Sequence, residues 1–148
     1  MGMKGDERGQ HIFTMSQKKD KRYLVEFPNL EGCLTEGETL EEACQNAKEA
    51  LSGYLSSIFE RGFTIPEPSI LNKKNFYQIE PDPDVAIPIM LRKIREEQKI
   101  SQIVAASRLD ISYQAYQRLE NPNKFNATIM TLDKVAKIFG KRLHVEIA

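Results

Sequence analysis

The sequence predicts two units of different class: an α+β domain with a small antiparallel sheet and one long helix, then an all-α domain of short helices ending in a short strand. Three observations carry this. Short apolar runs broken by Gly, Pro and Asn precede one long helical stripe, Leu40 to Ile58. Pro81-Asp-Pro83 then interrupts the chain. Beyond it the apolar spacing is helical almost to the end. The expected domains are 10–80 and 84–148.

The first elements are two strands, His11–Met15 and Tyr23–Phe27, joined by the polar turn Ser16–Arg22. Pro28 and Asn29 end the second. Gly32 and Gly37 bracket a third short strand, Cys33–Glu36. Thr39 caps the long helix, with Glu42 at the capping-box position three residues on. Leu40, Ala43, Cys44, Ala47, Leu51, Tyr54, Leu55 and Ile58 form its apolar stripe, so Cys44 reads as core, and Gly62 stands where a C-terminal cap belongs. Pro66 and Pro68 exclude helix interior, and Asn75–Glu80 reads as another strand. A sheet covered by one helix needs its edge or open face protected, by a second copy or a partner protein.

The second unit opens with a helix over Asp84–Gln98, with Ile87, Leu91 and Ile94 inward. Pro88 argues for a start nearer Ile87, because proline is tolerated in a first turn. Ser101 caps a helix reaching about Arg108, Leu109-Asp-Ile111 turns, and Ser112 caps Tyr113–Glu120. The polar loop Asn121–Asn126 follows. Thr128 or Thr131 opens a last helix that stops at Gly140, and Leu143-His-Val-Glu-Ile147 alternates as a terminal strand.

Formal net charge is zero, but residues 1–80 hold 10 Lys and Arg against 13 Asp and Glu, whereas 81–148 hold 11 against 8. An acidic first unit suits a basic partner and a basic second unit suits DNA. Two cysteines make no disulfide framework, and no Cys/His spacing suggests zinc, so no metal or cofactor is expected. No apolar run approaches the ~18 residues of a membrane span, and the polar start MGMKGDERGQ lacks a signal-peptide stretch; a cytoplasmic chain with reduced thiols is expected.

Leu91-Arg-Lys-Ile94, Ser101-Gln102, Ala105-Ala106, Leu109–Ser112, Tyr113–Glu120 and Leu132–Gly140 together resemble a helix-turn-helix of the lambda-repressor/XRE family. The physics of the pattern agrees. Ala106 lets two helices approach, Ile111 seats the turn on the core, and Ser112 caps a recognition helix whose first residues point into a major groove. The resemblance implies base or phosphate contacts from Ser112, Tyr113, Gln114, Gln117 and Arg118, with Gln102 on the DNA backbone. The turn position, usually Gly, is Asp110, which tolerates a left-handed backbone. Ile103 and Val104 stand where charged residues are usual; an apolar pair there suggests packing against another element or chain.

In the first half, Tyr23-Leu-Val-Glu-Phe-Pro-Asn-Leu-Glu-Gly-Cys33, Thr35-Glu-Gly-Glu-Thr-Leu-Glu-Glu-Ala43, Asn46–Leu51 and Ile65-Pro-Glu-Pro-Ser69 together, in this order, resemble the HicB antitoxin family. It implies a partial RNase H-like domain that covers the active site of HicA, a small basic RNA-cleaving toxin with a catalytic histidine. It also implies a C-terminal domain that forms a homodimer or higher homo-oligomer and represses the operon of the pair by binding operator DNA. The contact surface expected for the toxin is Pro28–Gly32, Glu36–Glu38 and the exposed face of the long helix.

An RNase H-like enzyme needs carboxylates converging on divalent metals, the first on the first strand. His11–Met15 holds no acid, and Glu26, Glu31, Glu36 and Glu38 lie beside turns. No phosphate loop or nucleophile elbow is present. The expectation is therefore a non-enzyme. The alternative is a transcription regulator whose first domain binds a small ligand or only assembles subunits, without a toxin.

Overall fold

The computed structural model describes residues 13–20, 22–66 and 76–147. The described residues form four strands and five helices, divided between two compact units, 1–86 and 87–148.

In the first unit, β1 (Phe13–Asp20), β2 (Arg22–Glu26), β3 (Leu34–Gly37) and β4 (Phe76–Ile79) make one sheet in the order β3-β2-β1-β4, and every pairing is antiparallel. The first strand runs well past its expected end. Ser16–Asp20, read as a turn, pairs with β2 from Ser16↔Glu26 to Asp20↔Arg22. Ladder hydrogen bonds come from backbone groups, so a polar run pairs as readily as an apolar one once a neighbouring strand is in place. The expected strand residues His11 and Ile12, the expected turn residue Lys21, and the stretch 67–75 with its Pro68 lie outside the described residues.

Helix α1 (Leu40–Glu60) covers one face of the sheet. Thr39 Oγ1 accepts from the Glu42 N–H at 3.1 Å, and the Glu42 carboxylate accepts from the Glu38 N–H at 3.0 Å, so the box closes one residue earlier than its usual form. At the other end Gly62 takes φ +71° and the Phe63 N–H reaches the Ile58 carbonyl at 3.1 Å, a left-handed cap. Ala43, Ala47, Leu51 and Leu55 are buried and meet Val25, Phe27, Leu30 and Cys33 in the unit's core. Cys44, expected in the core, is only half-buried, and Leu40 is exposed. Both lie at the margin of a stripe narrower than the periodicity suggested. Cys33 is the buried thiol, 3.7 Å from the Ala50 carbonyl; burial pushes its pKa up to about 11.

Helix and sheet meet closely at Gly37. A Cβ there would stand 2.4 Å from the Ala43 nitrogen and 2.7 Å from its Cα, both backbone atoms that cannot swing aside. After β4 the chain returns to α1: Ser52 Oγ accepts from the Asp82 N–H at 2.9 Å, and Lys48 lies 3.4 Å from the Asp82 carboxylate.

Helix α2 (Pro83–Glu97) starts with Pro at its first position, and the Asp82 carbonyl accepts from Val85 and Ala86. Pro88 therefore falls inside the helix, not in its first turn as expected. It forfeits one ladder bond, and it is fully buried. The helices α3 (Gln102–Leu109), α4 (Tyr113–Leu119) and α5 (Ile129–Ile138) complete the second unit. Its core is Leu91, Ala105, Ala106, Tyr116, Leu119, Val135 and Phe139, with Ile87 and Ile94 packed against it. The expected strand Leu143–Ile147 is without regular structure; Val145 and Ile147 are exposed at 58% and 95%. A strand needs a ladder partner, and the described residues of this chain present none to it.

Gly37→Ala is expected to destabilise the first unit by at least about 1–3 kcal/mol, through overpacking against backbone that cannot yield; denaturant unfolding measures it. Alkylation at pH 8 followed by mass spectrometry is expected to label Cys44 well before Cys33. Equal rates would mean that the Cys33 site opens freely.

Candidate nucleic-acid interface

Helices α3, α4 and α5 each begin on a hydroxyl cap, and α3 ends on a residue suited to its turn. Ser101 Oγ accepts from the Val104 N–H, Ser112 Oγ from the Ala115 N–H and Thr128 Oγ1 from the Thr131 N–H, each at 3.1 Å. Asp110 ends α3 at φ 57°, ψ 43°, the left-handed conformation expected of it, and the Ile111 N–H closes onto the Ala106 carbonyl at 3.1 Å. Ile111 itself is 37% exposed and does not seat the turn; Leu109, packed against the core, does. Ala105 and Ala106 are buried where α3 and α4 meet, because only small side chains allow so close an approach.

Helix α4 has two unlike faces. Tyr116 and Leu119 are buried. Tyr113, Gln114, Gln117 and Arg118 are all exposed, and their spacings of four place Tyr113 above Gln117 and Gln114 above Arg118. Ser112, also exposed, uses its hydroxyl as the cap. Two amides, a guanidinium and a phenol on one short helix offer bidentate donors and acceptors of the kind base edges and phosphates take. Gln102 is half-buried and differently engaged. Its amide nitrogen donates to Glu120 Oε1 at 3.3 Å, and its oxygen accepts from the Tyr113 hydroxyl at 3.4 Å. The structure thus joins Gln102 and Tyr113 at the start of the two helices and leaves Gln114, Gln117 and Arg118 facing outward. Ile103 and Val104 are exposed at 65% and 42%.

Beneath this face lies a group that the residue pattern did not single out. Arg95 donates from Nε to Glu120 Oε2 at 2.7 Å and from its terminal nitrogen to Oε1 at 2.9 Å, a two-pronged pair. The Glu120 side chain is wholly buried and that of Arg95 nearly so. Arg95 also donates to the Ile100 carbonyl at 2.8 Å, holding the α2–α3 turn. The hydrogen bond to Glu120 raises the Arg95 pKa further, against a smaller opposing effect of burial. Tyr116 packs beside the pair; burial, reinforced by Glu120, raises its pKa, and its hydroxyl has no hydrogen-bond partner among the described residues. A signal for the pair was present in the sequence: Arg95 falls one helical turn after Leu91, and Glu120 one turn after Tyr116, so both sit on core-facing positions.

Among the described residues no group of three or more His, Cys, Asp or Glu is placed to hold a metal ion, and no helix is long and apolar enough to cross a membrane.

Comparison with known proteins bears on both units. A family model described as "HicB_like antitoxin of bacterial toxin-antitoxin system" matches residues 11–98, and a helix-turn-helix model matches 91–145. Antitoxin HicB of Escherichia coli K12 is 34% identical over 131 residues, 88% of this chain and 93% of that protein. Antitoxin HicB 1 of Photorhabdus laumondii is 28% identical over 134 residues, 90% of this chain and 84% of that protein. A chain from a solved HicA3 and HicB3 toxin-antitoxin complex aligns over 49% of this chain and 99% of its own, with 23% identity and a TM-score of 0.37.

Removing one partner of a buried ion pair strands the other charge, at about 3–5 kcal/mol. Glu120→Gln is therefore expected to destabilise the second unit by roughly that amount, whereas Arg95→Met with Glu120→Leu restores most of the loss. Thermal unfolding of the two variants checks this; a double variant as unstable as the single one would assign the loss to packing instead of charge.

Proposed function

Since the chain belongs to the HicB-like antitoxins of bacterial toxin-antitoxin systems and carries a helix-turn-helix, we propose that it occludes a small RNA-cleaving HicA-type toxin with one domain and represses its own operon with the other. The toxin-binding domain is residues 10–80 and the DNA-binding, dimerising domain is 84–148. The single observation that carries the DNA half is the exposed polar face of α4 on a buried, capped scaffold.

The toxin half acts by coverage and not by chemistry. Family membership supports it, as does the acidity of the first 80 residues, which speeds association with a basic partner. The turn Pro28–Gly32 is a preformed surface for it: Leu30 is buried beneath, and the Tyr54 hydroxyl donates to the Glu31 carbonyl at 2.9 Å, so Pro28, Asn29, Glu31 and Gly32 are held outward. Glu36 and Glu38 stand nearby but share Arg22, at 2.6 and 3.6 Å, which lowers their net contribution to a charged contact. Glu41, Gln45 and Glu49 extend the acidic surface along the exposed side of α1.

In the DNA half, Gln114, Gln117 and Arg118 read base edges or phosphate, Tyr113 and Ser112 meet the backbone, and Gln102 adds a phosphate contact from the start of α3. Two copies present two such faces to half-sites about one helical turn apart, as a homodimer or within a higher homo-oligomer in the cytoplasm. No cofactor takes part in either role.

Co-expression with any small basic protein encoded beside this chain tests the toxin half. The expected result is a stable complex in which RNA cleavage is suppressed; absence of a complex would favour a regulator without a toxin. Arg118→Ala is expected to weaken operator binding roughly ten- to hundredfold, the worth of one good base or phosphate contact, with toxin binding unchanged. Loss of both together in mobility-shift and pull-down assays would refute the division of labour between the domains.

A further inference from the structure

The C-terminal segment Leu143–Ile147 alternates apolar and polar residues, leaves a fixed anchor and has no partner strand among the described residues. Helix α5 stops at Gly140, φ +68°, with the Lys141 N–H on the Ala136 carbonyl at 2.9 Å. Gln98 donates to the Phe139 carbonyl at 2.8 Å, so the point from which the segment departs is held to α2. Leu143 is half-buried, while His144, Val145, Glu146 and Ile147 are exposed. Three apolar residues at period two make a strand face of which a single chain leaves Val145 and Ile147 in water, and an open ladder of backbone donors invites a second strand.

The segment is complementary to itself. Pairing two copies antiparallel about Val145 sets Val145 against Val145 of a second copy, Leu143 against Ile147 and His144 against Glu146. All six apolar side chains then share one face, and the imidazole meets the carboxylate twice on the other. A centre at His144 would oppose two imidazoles, and a centre at Glu146 would oppose two carboxylates, which is unfavourable. We propose that residues 143–147 of two copies of this chain pair as a two-fold antiparallel ribbon centred on Val145, forming an interface of the dimer. The proposal rests on the dimeric reading given above and specifies the surface through which that dimer forms. Symmetry makes the contact closed, which is the form a dimer reading a two-fold operator requires.

Substitution by cysteine within this segment tests register directly. In the full-length chain under mild oxidation, Val145→Cys is expected to give a covalent dimer that the wild type, with only Cys33 and Cys44, does not. Leu143→Cys is expected to give none: its two copies would lie four residues apart along the ribbon, roughly 13 Å, beyond the ~7 Å reach of a disulfide. His144→Glu is expected to weaken dimerisation on the order of tenfold by placing Glu against Glu, and adding Glu146→Lys is expected to restore it, both read by sedimentation. A dimeric chain in which position 145 fails to crosslink, or in which 143 and 145 crosslink equally, overturns the ribbon while leaving the dimer intact. A wild type that is monomeric at tens of micromolar overturns both.

Discussion

The buried pair between Arg95 and Glu120 is the constraint around which the second unit is arranged. Arg95 comes from the last turn of α2, Glu120 stands immediately beyond α4, and the same guanidinium holds the Ile100 carbonyl in the turn that launches α3. One charged group thus ties three segments whose relative placement decides where α3 and α4 begin. Burying two charges is costly and is offset only by good geometry and full hydrogen bonding. Here both carboxylate oxygens are engaged by Arg95, and one is shared with Gln102. Such a pair adds little net stability over an apolar replacement, but it tolerates few alternative packings.

The outward face inherits its order from that buried pair. Glu120 receives the Gln102 amide, and Gln102 in turn receives the Tyr113 hydroxyl, so the starts of α3 and α4 are linked by a chain of polar contacts. The left-handed residues Lys99, φ 56°, and Asp110, φ 57°, punctuate either end of α3 and leave little freedom in its length. Exposed donors on a rigid helix lose less entropy on meeting a partner than donors on a mobile loop.

The first unit solves a different problem. One helix must cover a four-stranded sheet, and it does so by approaching β3 so closely that only glycine fits at position 37. That contact, the Leu30 plug and the Tyr54–Glu31 hydrogen bond hold the Pro28–Gly32 turn as a rigid projection. The opposite face of the sheet exposes Leu24 and Leu34 among Arg22, Glu26 and Glu36, and α1 covers the other face.

Much of this was legible in the residues themselves. The stripe from Ala43 to Leu55, the caps at Thr39, Ser101 and Ser112, the left-handed turn at Asp110 and the stop at Gly140 follow from local chemistry: spacing, a side-chain oxygen, or a tolerance for positive φ; of Thr128 and Thr131, both candidates, the structure chose Thr128. The outward residues of α4, Gln114, Gln117 and Arg118, came from the helix-turn-helix resemblance, and the structure exposes them because Tyr116 and Leu119 are buried. What local rules could not supply depended on neighbours distant in sequence. Ser16–Asp20 is a strand because β2 lies beside it, Pro88 sits within a helix that begins at Pro83, and Ile111 yields its anchoring role to Leu109. The Arg95–Glu120 pair spans 25 residues, and Leu143–Ile147, strand-like in its alternation, has no neighbour in this chain to make it a strand. Sequence alone determined which residues want water, which conformations each can adopt and which positions face a core; only the tertiary structure decided which buried charges meet and which backbone groups find partners, because those depend on contacts between residues distant in sequence.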